Sequence, residues 1–141
     1  MSYIVRPKKS LGQHFLIDLN IAQAIADTLD NYKNTPILAV GPGMGVLTQY
    51  LLSKGHDLTV VELDHESIEY LQENFPELKG HILEEDFLKL DLSKLFSGNF
   101  CVIGNYPYNI SSQIFFKVLE YKDHIPCCSG MIQKEVAERM A

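Results

Sequence analysis

Residues 37–45 of the chain are Ile-Leu-Ala-Val-Gly-Pro-Gly-Met-Gly, a short apolar run followed by three glycines in five positions. An apolar run of this length that stops at glycine is typical of a strand buried on both faces of a parallel sheet. Residues 45–54 then place apolar side chains at helical spacing, and Gly55 follows as a C-terminal cap. The stretch predicts the strand, turn and helix that open an α/β domain.

The same alternation continues along the chain on both sides of this stretch. Short apolar runs predict strands at residues 37–40, 58–63, 81–83, 100–103 (ending at Gly104) and 127–132. Amphipathic segments predict helices at residues 17–29, 45–54, 67–75 and 111–121, with a further charged helical start at 133–139. Strands that alternate with helices form right-handed βαβ units, so the sequence predicts the α/β class with one parallel sheet.

The composition is that of one soluble domain, with 141 residues of which 46% are hydrophobic and 21% charged. No apolar run approaches the roughly 20 residues that span a bilayer, and the start lacks a secretory signal, so we expect a cytoplasmic protein with no membrane contact. The three cysteines are an odd number, two of them adjacent, inside apolar segments. They predict reduced, buried thiols and no metal site.

The net charge of −6 counts against a protein that grips nucleic acid, because such proteins usually present a basic surface to phosphates. Taken alone, the charge favours a small-molecule substrate. Its distribution leaves a local basic patch open, because Arg6, Lys8 and Lys9 cluster near the start while many acids lie between residues 57 and 91.

Ligands of parallel α/β sheets bind outside the carboxyl ends of the strands, where the suggestive residues of this chain are predicted to lie. The first strand ends in a Gly-x-Gly-x-Gly turn that starts at Gly41 and includes Gly43. Its spacing differs from the Gly-x-Gly-x-x-Gly that cradles a pyrophosphate, so a nucleoside without phosphates fits better than NAD. On its own, the motif is equally compatible with a tight turn.

Two acids follow the next strands. Glu62 comes 21 residues after Gly41 and can accept hydrogen bonds from both hydroxyls of a ribose; the alternative is a solvated loop residue. Asp64 is interpreted as a helix cap. Asp86 can accept the amine of an adenine ring that Phe87 covers, with an ordinary capping role as the alternative.

The fourth strand leads into residues 104–109, Gly-Asn-Tyr-Pro-Tyr-Asn. The amide oxygen of Asn105 and a backbone carbonyl at Tyr106 or Pro107 can accept the two hydrogens of an exocyclic amine and so prepare its nitrogen for methylation. Tyr108 can stack on the base. Asn-x-Pro is also a common turn, so the motif alone leaves both interpretations open.

The order and spacing of these motifs resemble class I S-adenosylmethionine-dependent methyltransferases, and Asn-x-Pro-Tyr resembles their amino-methylating branch. Residues 7–16, PKKSLGQHFL, are similar to the N-terminal motif of the ribosomal RNA adenine dimethyltransferase family. Residues 133–139, QKEVAER, resemble its bacterial small-subunit (KsgA/RsmA) branch rather than the erythromycin-resistance branch. The resemblance covers essentially the whole chain.

The resemblance implies a Rossmann-like class I methyltransferase fold that is incomplete at its C-terminus. Residues 1–141 would be the catalytic domain, and a C-terminal helical RNA-recognition domain would be absent. The implied activity is N6,N6-dimethylation of two adjacent adenosines near the 3′ end of 16S rRNA, within a pre-30S particle during small-subunit biogenesis. The implied cofactor is S-adenosylmethionine, with S-adenosylhomocysteine as product, held by His14, Leu16, Gly41, Gly43, Glu62, Asp86 and Asn105.

Three positions depart from the family pattern. His14 and Tyr106 replace asparagine and leucine where backbone atoms can serve, whereas Ala39 replaces a glutamate that helps to organise the glycine turn. Our hypothesis is that Ala39 weakens cofactor binding or catalysis. A catalytically impaired module that binds RNA or pre-ribosomes, and an NAD-dependent oxidoreductase, are the alternative functions. A sheet cut after its fifth strand also exposes an edge, so a strand-exchanged homodimer is a further expectation.

Overall fold

The computed structural model of the chain describes residues 19–43, 45–106 and 108–132. In chain order, these residues form α1 (Leu19–Asp27), β1 (Ile37–Val40), α2 (Val46–Ser53), β2 (Leu58–Val61), α3 (His65–Asn74), β3 (Ile82–Leu83), α4 (Leu92–Leu95), β4 (Cys101–Tyr106), α5 (Tyr108–Glu120) and β5 (Cys128–Ile132). Single 3₁₀ turns lie at Asp30–Tyr32, Pro76–Leu78 and Phe87–Lys89. The helical start predicted at residues 133–139 falls outside the described residues.

The strands form one five-stranded sheet in the order β3-β2-β1-β4-β5, and every pairing is parallel. The chain thus moves outward from the central β1 to β3 at one edge, returns to β4, and reaches β5 at the other edge of the described sheet. This reversal beside β1 places the carboxyl ends of β1 and β4 at the topological switch point of the sheet. The predicted α/β class with a parallel sheet is confirmed.

Both faces of the sheet are covered, because side chains alternate along each buried strand. Ile37 and Ala39 of β1 join a hydrophobic cluster with α1, α2 and Leu71 of α3. Leu38 and Val40 face the opposite way, into a second cluster with α4 and α5. The result is a three-layer domain whose sheet is apolar on both sides, as the unbroken apolar runs of the sequence indicate.

The predicted end of the fourth strand at Gly104 is wrong. β4 continues to Tyr106, and Gly104 stays in the ladder as the partner of Val40. A Cβ at Gly104 would lie 2.7 Å from the Val40 carbonyl oxygen and 2.8 Å from the ring of Tyr106. Glycine is therefore required here for close packing inside the strand rather than for a turn.

Other boundaries differ from the predictions by a few residues. β2 ends at Val61, so Glu62 and Leu63 lie beyond the strand. α3 begins earlier than predicted because Asp64 caps it: Oδ2 of Asp64 accepts hydrogen bonds from the Ser67 backbone nitrogen and hydroxyl at 3.1 and 2.7 Å. The prediction that Asp64 is a helix cap is confirmed.

The cysteines are free thiols, but only part of the burial prediction holds. Cys101 is buried, Cys127 is half-buried and Cys128 is exposed. Cys128 is exposed because it lies on β5, the edge strand of the described sheet, where an apolar sequence does not guarantee cover. Within the described ranges, no helix combines the length and the apolar character needed to cross a membrane.

Candidate functional site

The carboxyl edge of the sheet brings the predicted site residues into one row. Val40 of β1 is in register with Val61 of β2 and with Gly104 of β4. The residue that follows each of these along the chain is a predicted site residue, Gly41, Glu62 or Asn105, so the three lie side by side at the carboxyl edge of the sheet. Asn105 is half-buried at this edge. The sequence prediction that these motifs share one edge of the sheet is confirmed, although their roles are not tested by it.

Glu62 holds the glycine turn in place. The side chain is 2% exposed; Oε1 accepts from the Gly43 backbone nitrogen at 3.0 Å, and Oε2 accepts from those of Leu63 and Asp64, each at 3.0 Å. Burial raises the pKa of Glu62, and the three backbone N–H groups act in the opposite direction. Sequence reasoning missed this contact with the turn, since nothing in the sequence marks a hydrogen bond across 19 residues.

Glycine suits the two ends of the turn for different physical reasons. Gly41 has φ +60° and a hypothetical Cβ would have no neighbour within 4 Å. Gly45 has φ +84°, and its Cβ would lie 2.5 Å from the ring of Phe75, the C-cap residue of α3. Gly41 therefore leaves open space at the edge of the sheet, whereas Gly45 permits close packing of the turn against α3.

A cavity of about 140 Å³ opens beside this row. Its wall is largely apolar and carries three carboxylate side chains; the lining residues are Val40, Gly41, Val61, Glu62, Leu63, Glu85, Asp86, Phe87, Leu88, Ile110 and Ile114. Three of the predicted cofactor residues, Gly41, Glu62 and Asp86, thus face one space. Asn105 lies one strand away from this lining, next to Gly41. An apolar cleft with a few convergent polar groups is the usual form of a small-molecule site.

Asp86 has the capping role that the sequence analysis gave as an alternative, and it also lines the cavity. Its Oδ1 accepts a hydrogen bond from the Leu88 backbone nitrogen at 3.0 Å and so caps the 3₁₀ turn Phe87–Lys89. The same residue lines the cavity, and the adjacent Phe87 is 5% exposed and lines it as well. The capping role is therefore confirmed, and the role of Asp86 as an acceptor for an adenine amine stays a prediction.

A buried lysine donates hydrogen bonds to this turn, and the sequence analysis did not identify it. Lys117 of α5 is 9% exposed; its Nζ donates to the carbonyl oxygens of Phe87, at 2.5 Å, and Leu90, and lies 5.2 Å from the centre of the Phe87 ring. Burial lowers the pKa of Lys117. The sequence feature that could have identified this residue is a lysine on the apolar face of a predicted helix, beside Ile114 and Val118.

Tyr106 is anchored inside the protein rather than exposed at the site. It is 1% exposed, its hydroxyl donates to the Ser129 carbonyl oxygen at 2.7 Å, and its ring meets Phe115 edge-on at 5.4 Å. Burial raises the pKa of Tyr106 well above its usual value. The ring fits because Gly104 and Gly130 have no Cβ: one on either glycine would lie 2.8 Å from it. The expectation that position 106 contributes through its backbone stays a prediction.

The remaining predicted site residues cannot be placed. His14, Leu16, Pro107 and the side chain of Tyr108 lie outside the described residues. Among the residues that are described, no group of three or more His, Cys, Asp or Glu side chains is arranged to hold a metal ion.

The chain has extensive sequence similarity to known proteins. A family model described as ribosomal RNA adenine dimethylase matches residues 4–141. Ribosomal RNA small subunit methyltransferase A of Parabacteroides distasonis is 78% identical over 138 residues, which are 98% of this chain and 52% of that protein. The chain spans about half the length of the curated relatives that it matches.

Solved structures with the same architecture point in the same direction. The 23S rRNA methyltransferase ErmE has a TM-score of 0.72 and 30% identity, over 88% of this chain and 50% of that one. A dimethyladenosine transferase from Plasmodium falciparum has a TM-score of 0.67 and 27% identity, over 90% of this chain and 45% of that one. The fold is thus the Rossmann-like fold of methyltransferases, and with a family model that matches nearly every residue, the chain belongs to the ribosomal RNA adenine dimethylase family.

Proposed function

We propose that this chain is the cofactor-binding and catalytic half of a small-subunit ribosomal RNA adenine N6,N6-dimethyltransferase. The observation that supports this most is the row of Gly41, Glu62 and Asn105 beside a cavity that Asp86 also lines. Such a reaction needs an adenosine cofactor and an amide that binds the substrate amine, and the row supports the proposal because it brings candidate groups for both to one edge of the sheet. NAD-dependent oxidation is not proposed, because the chain belongs to a methyltransferase family.

The cofactor that fits the cavity is S-adenosylmethionine, with S-adenosylhomocysteine as its product. Gly41 leaves its side of the cavity open, since a Cβ there would have no neighbour within 4 Å. The carboxylate of Glu62 accepts from the ribose hydroxyls, and Asp86 accepts from the adenine amine beside the apolar wall that Phe87 provides. His14 and Leu16 complete the cofactor site through the N-terminal motif. When bound, the cofactor supplies a methyl group on a sulfonium, an intrinsically good leaving group.

The residues after β4 prepare the substrate amine. Asn105 accepts one N–H of the adenine amine through its amide oxygen, and the carbonyl of Tyr106 or Pro107 accepts the other, which directs the nitrogen lone pair toward the cofactor. Tyr108 stacks on the extruded base. These residues act by orientation, so no strong base is required at the site. The firm anchoring of Tyr106 supports this role, because a fixed side chain fixes the carbonyl that follows it.

The substrate is 16S rRNA in a pre-30S particle. This rests on the relatives, whose printed name is ribosomal RNA small subunit methyltransferase A, and it implies a cytoplasmic location. Since the net charge is −6, contacts to phosphates fall to local basic groups such as Arg6, Lys8 and Lys9. A strand-exchanged homodimer through β5, the edge of the described sheet, stays a prediction that light scattering can test.

A methyl-transfer assay tests the proposed function. The chain is used alone and in a chimera, where it replaces the matching half of the Parabacteroides distasonis relative. Each is incubated with methyl-labelled S-adenosylmethionine and unmethylated small-subunit particles, and the RNA is digested for mass spectrometry. We expect N6,N6-dimethyladenosine from the chimera and none from its Asn105→Ala variant. A chimera that binds cofactor but transfers no methyl group contradicts the catalytic proposal.

The second candidate is a module that binds cofactor or RNA without efficient catalysis. Ala39 favours it: the residue is 3% exposed and lies between Val60 and Ile103 of the neighbouring strands, two residues before Gly41. In the family pattern a glutamate at this position helps to organise the glycine turn, and alanine has no carboxylate for this role. Normal turnover by the chimera would exclude this candidate.

A further inference from the structure

Lys117 connects two parts of the site that are distant in sequence. It lies in the last turn of α5, the helix that follows directly after the Asn105 segment. Its ammonium group contacts the backbone of the loop after β3, where it bonds the carbonyl oxygens of Phe87 and Leu90. These carbonyls are the first and the last of the short segment that begins right after Asp86. The lysine therefore holds both ends of the Phe87–Leu90 segment, which follows Asp86 directly.

The position of Asp86 depends on this support. Two hydrogen bonds tie Asp86 to the segment: the Leu88 nitrogen donates to its Oδ1 at 3.0 Å, and the Lys89 nitrogen donates to its backbone carbonyl oxygen at 2.9 Å. Within the described part of the chain, Oδ2 makes none. The backbone bond within the turn, from the Leu90 nitrogen to the Phe87 carbonyl oxygen, is long at 3.3 Å, and a buried carbonyl left without a donor is costly. Without the lysine, the Phe87 carbonyl would keep only this long bond and the Leu90 carbonyl would lose the ammonium donor, so we expect the turn to shift.

We propose that Lys117 is a positioning residue that sets where Asp86 stands in the cavity and so determines the selectivity of the site for the 6-amino group of adenine. The inference rests on the proposed function, since it assumes that an adenine nucleoside occupies the cavity. Lys117 is not itself a lining residue of the cavity, and it contacts the lining at Phe87. It acts only through the Phe87–Leu90 segment.

The chemistry of a lysine suits this role. An ammonium carries three donors on a flexible stem, and two of them satisfy carbonyls at opposite ends of one turn. The charge also lies above the Phe87 ring, 5.2 Å from its centre, and so fixes the ring that forms part of the cavity wall. Neighbouring acids at Asp86, Asp91 and Glu120 favour the charged form of Lys117 and oppose the effect of burial.

Two ligands that differ at one position test the proposal. S-adenosylhomocysteine presents an amine at position 6 of its base, and S-inosylhomocysteine presents a carbonyl oxygen that an Asp86 carboxylate repels. By calorimetry, we expect the unaltered chain to bind S-adenosylhomocysteine at least about tenfold more tightly than S-inosylhomocysteine, as expected for one charged hydrogen bond. In Lys117→Met, we expect this ratio to fall toward one.

Matched variants separate positioning from general damage. Lys122→Met removes an exposed lysine from the turn after the same helix and should keep the ratio. If Lys117 acts through Asp86, Lys117→Met added to Asp86→Ala should cause no further loss of affinity. Circular dichroism checks folding, and Lys117→Gln takes the place of Lys117→Met if the methionine variant does not fold.

The outcomes distinguish this inference from the proposed function. If the unaltered chain binds neither ligand, the proposed cofactor site is wrong. If it prefers the amino ligand and a folded Lys117 variant keeps that preference in full, the cofactor site stands and the role of Lys117 is refuted. Additive losses in the double variant would likewise contradict a role that passes through Asp86.

Discussion

Alanine substitutions at the two ends of the glycine turn should separate folding from binding. Gly45→Ala carries two costs. A non-glycine residue at φ +84° is strained by about 1 kcal/mol, and a Cβ 2.5 Å from the Phe75 ring overpacks the contact with α3 by about 2 kcal/mol. We therefore expect the free energy of unfolding to fall by about 3 kcal/mol, with ligand affinity reduced only indirectly.

Gly41→Ala should behave in the opposite way. Its Cβ would meet nothing within 4 Å, so only the strain at φ +60° remains, about 1 kcal/mol. The new methyl group would instead occupy space at the cavity, and affinity for S-adenosylhomocysteine should fall about tenfold or more. Gly55→Ala is the matched control, because Gly55 has φ +81° and an equally open surrounding but lies away from the cavity.

Urea unfolding and calorimetry with S-adenosylhomocysteine measure the two effects on the same proteins. Phe75→Leu, introduced into Gly45→Ala, should restore part of the lost stability by making room for the methyl group. The reasoning is refuted if Gly45→Ala is no less stable than Gly41→Ala. It is equally refuted if Gly41→Ala binds the ligand as tightly as Gly55→Ala does.

Three further substitutions test other parts of the account. Tyr106→Phe removes the hydrogen bond to the Ser129 carbonyl and should lower the free energy of unfolding by about 1–2 kcal/mol without changing ligand affinity; weaker binding would show that the hydroxyl acts at the site. Burial lowers the pKa of His56 below 6.5, and neither ring nitrogen has a partner among the described residues. The unfolded chain therefore binds more protons than the folded one below pH 6.5, so stability falls as the pH drops; His56→Leu should flatten this dependence in urea unfolding at pH 7.5 and about 5.5, and an unchanged slope would contradict it. Ala39→Glu should tighten S-adenosylhomocysteine binding about tenfold and raise turnover in the chimera, and equal values for both proteins would refute the hypothesis.

The sequence predicted the parts of the fold that depend on local pattern. All five strands appear near their predicted positions, because each is a short apolar run that only a doubly covered sheet can bury. The predicted site edge follows from the same pattern, since Gly41, Glu62 and Asn105 each come at or near the end of a strand. Asp64 was identified as a cap because an acid before a helix has few other local roles.

The errors and omissions involve contacts between distant segments. In the sequence, Gly104 is typical of a residue that ends a strand. In the structure the strand continues through it, because Tyr106 packs against β5 and against the space that a side chain at position 104 would fill. Likewise, the hydrogen bond from Gly43 to Glu62 joins residues 19 positions apart. The bonds of Lys117 to the Phe87–Leu90 segment join residues 27–30 positions apart. Neither hydrophobic periodicity nor motif spacing indicates such contacts.

We propose that the glycine turn, Glu62 and Asn105 surround one adenosine ligand. Calorimetry measures the binding of S-adenosylhomocysteine to the unaltered chain, to Glu62→Gln and to the exposed control Glu73→Gln. We expect the chain and Glu73→Gln to bind the ligand, and Glu62→Gln to lose about a hundredfold in affinity, as expected for two charged hydrogen bonds to the ribose. Equal affinity in all three proteins would contradict it.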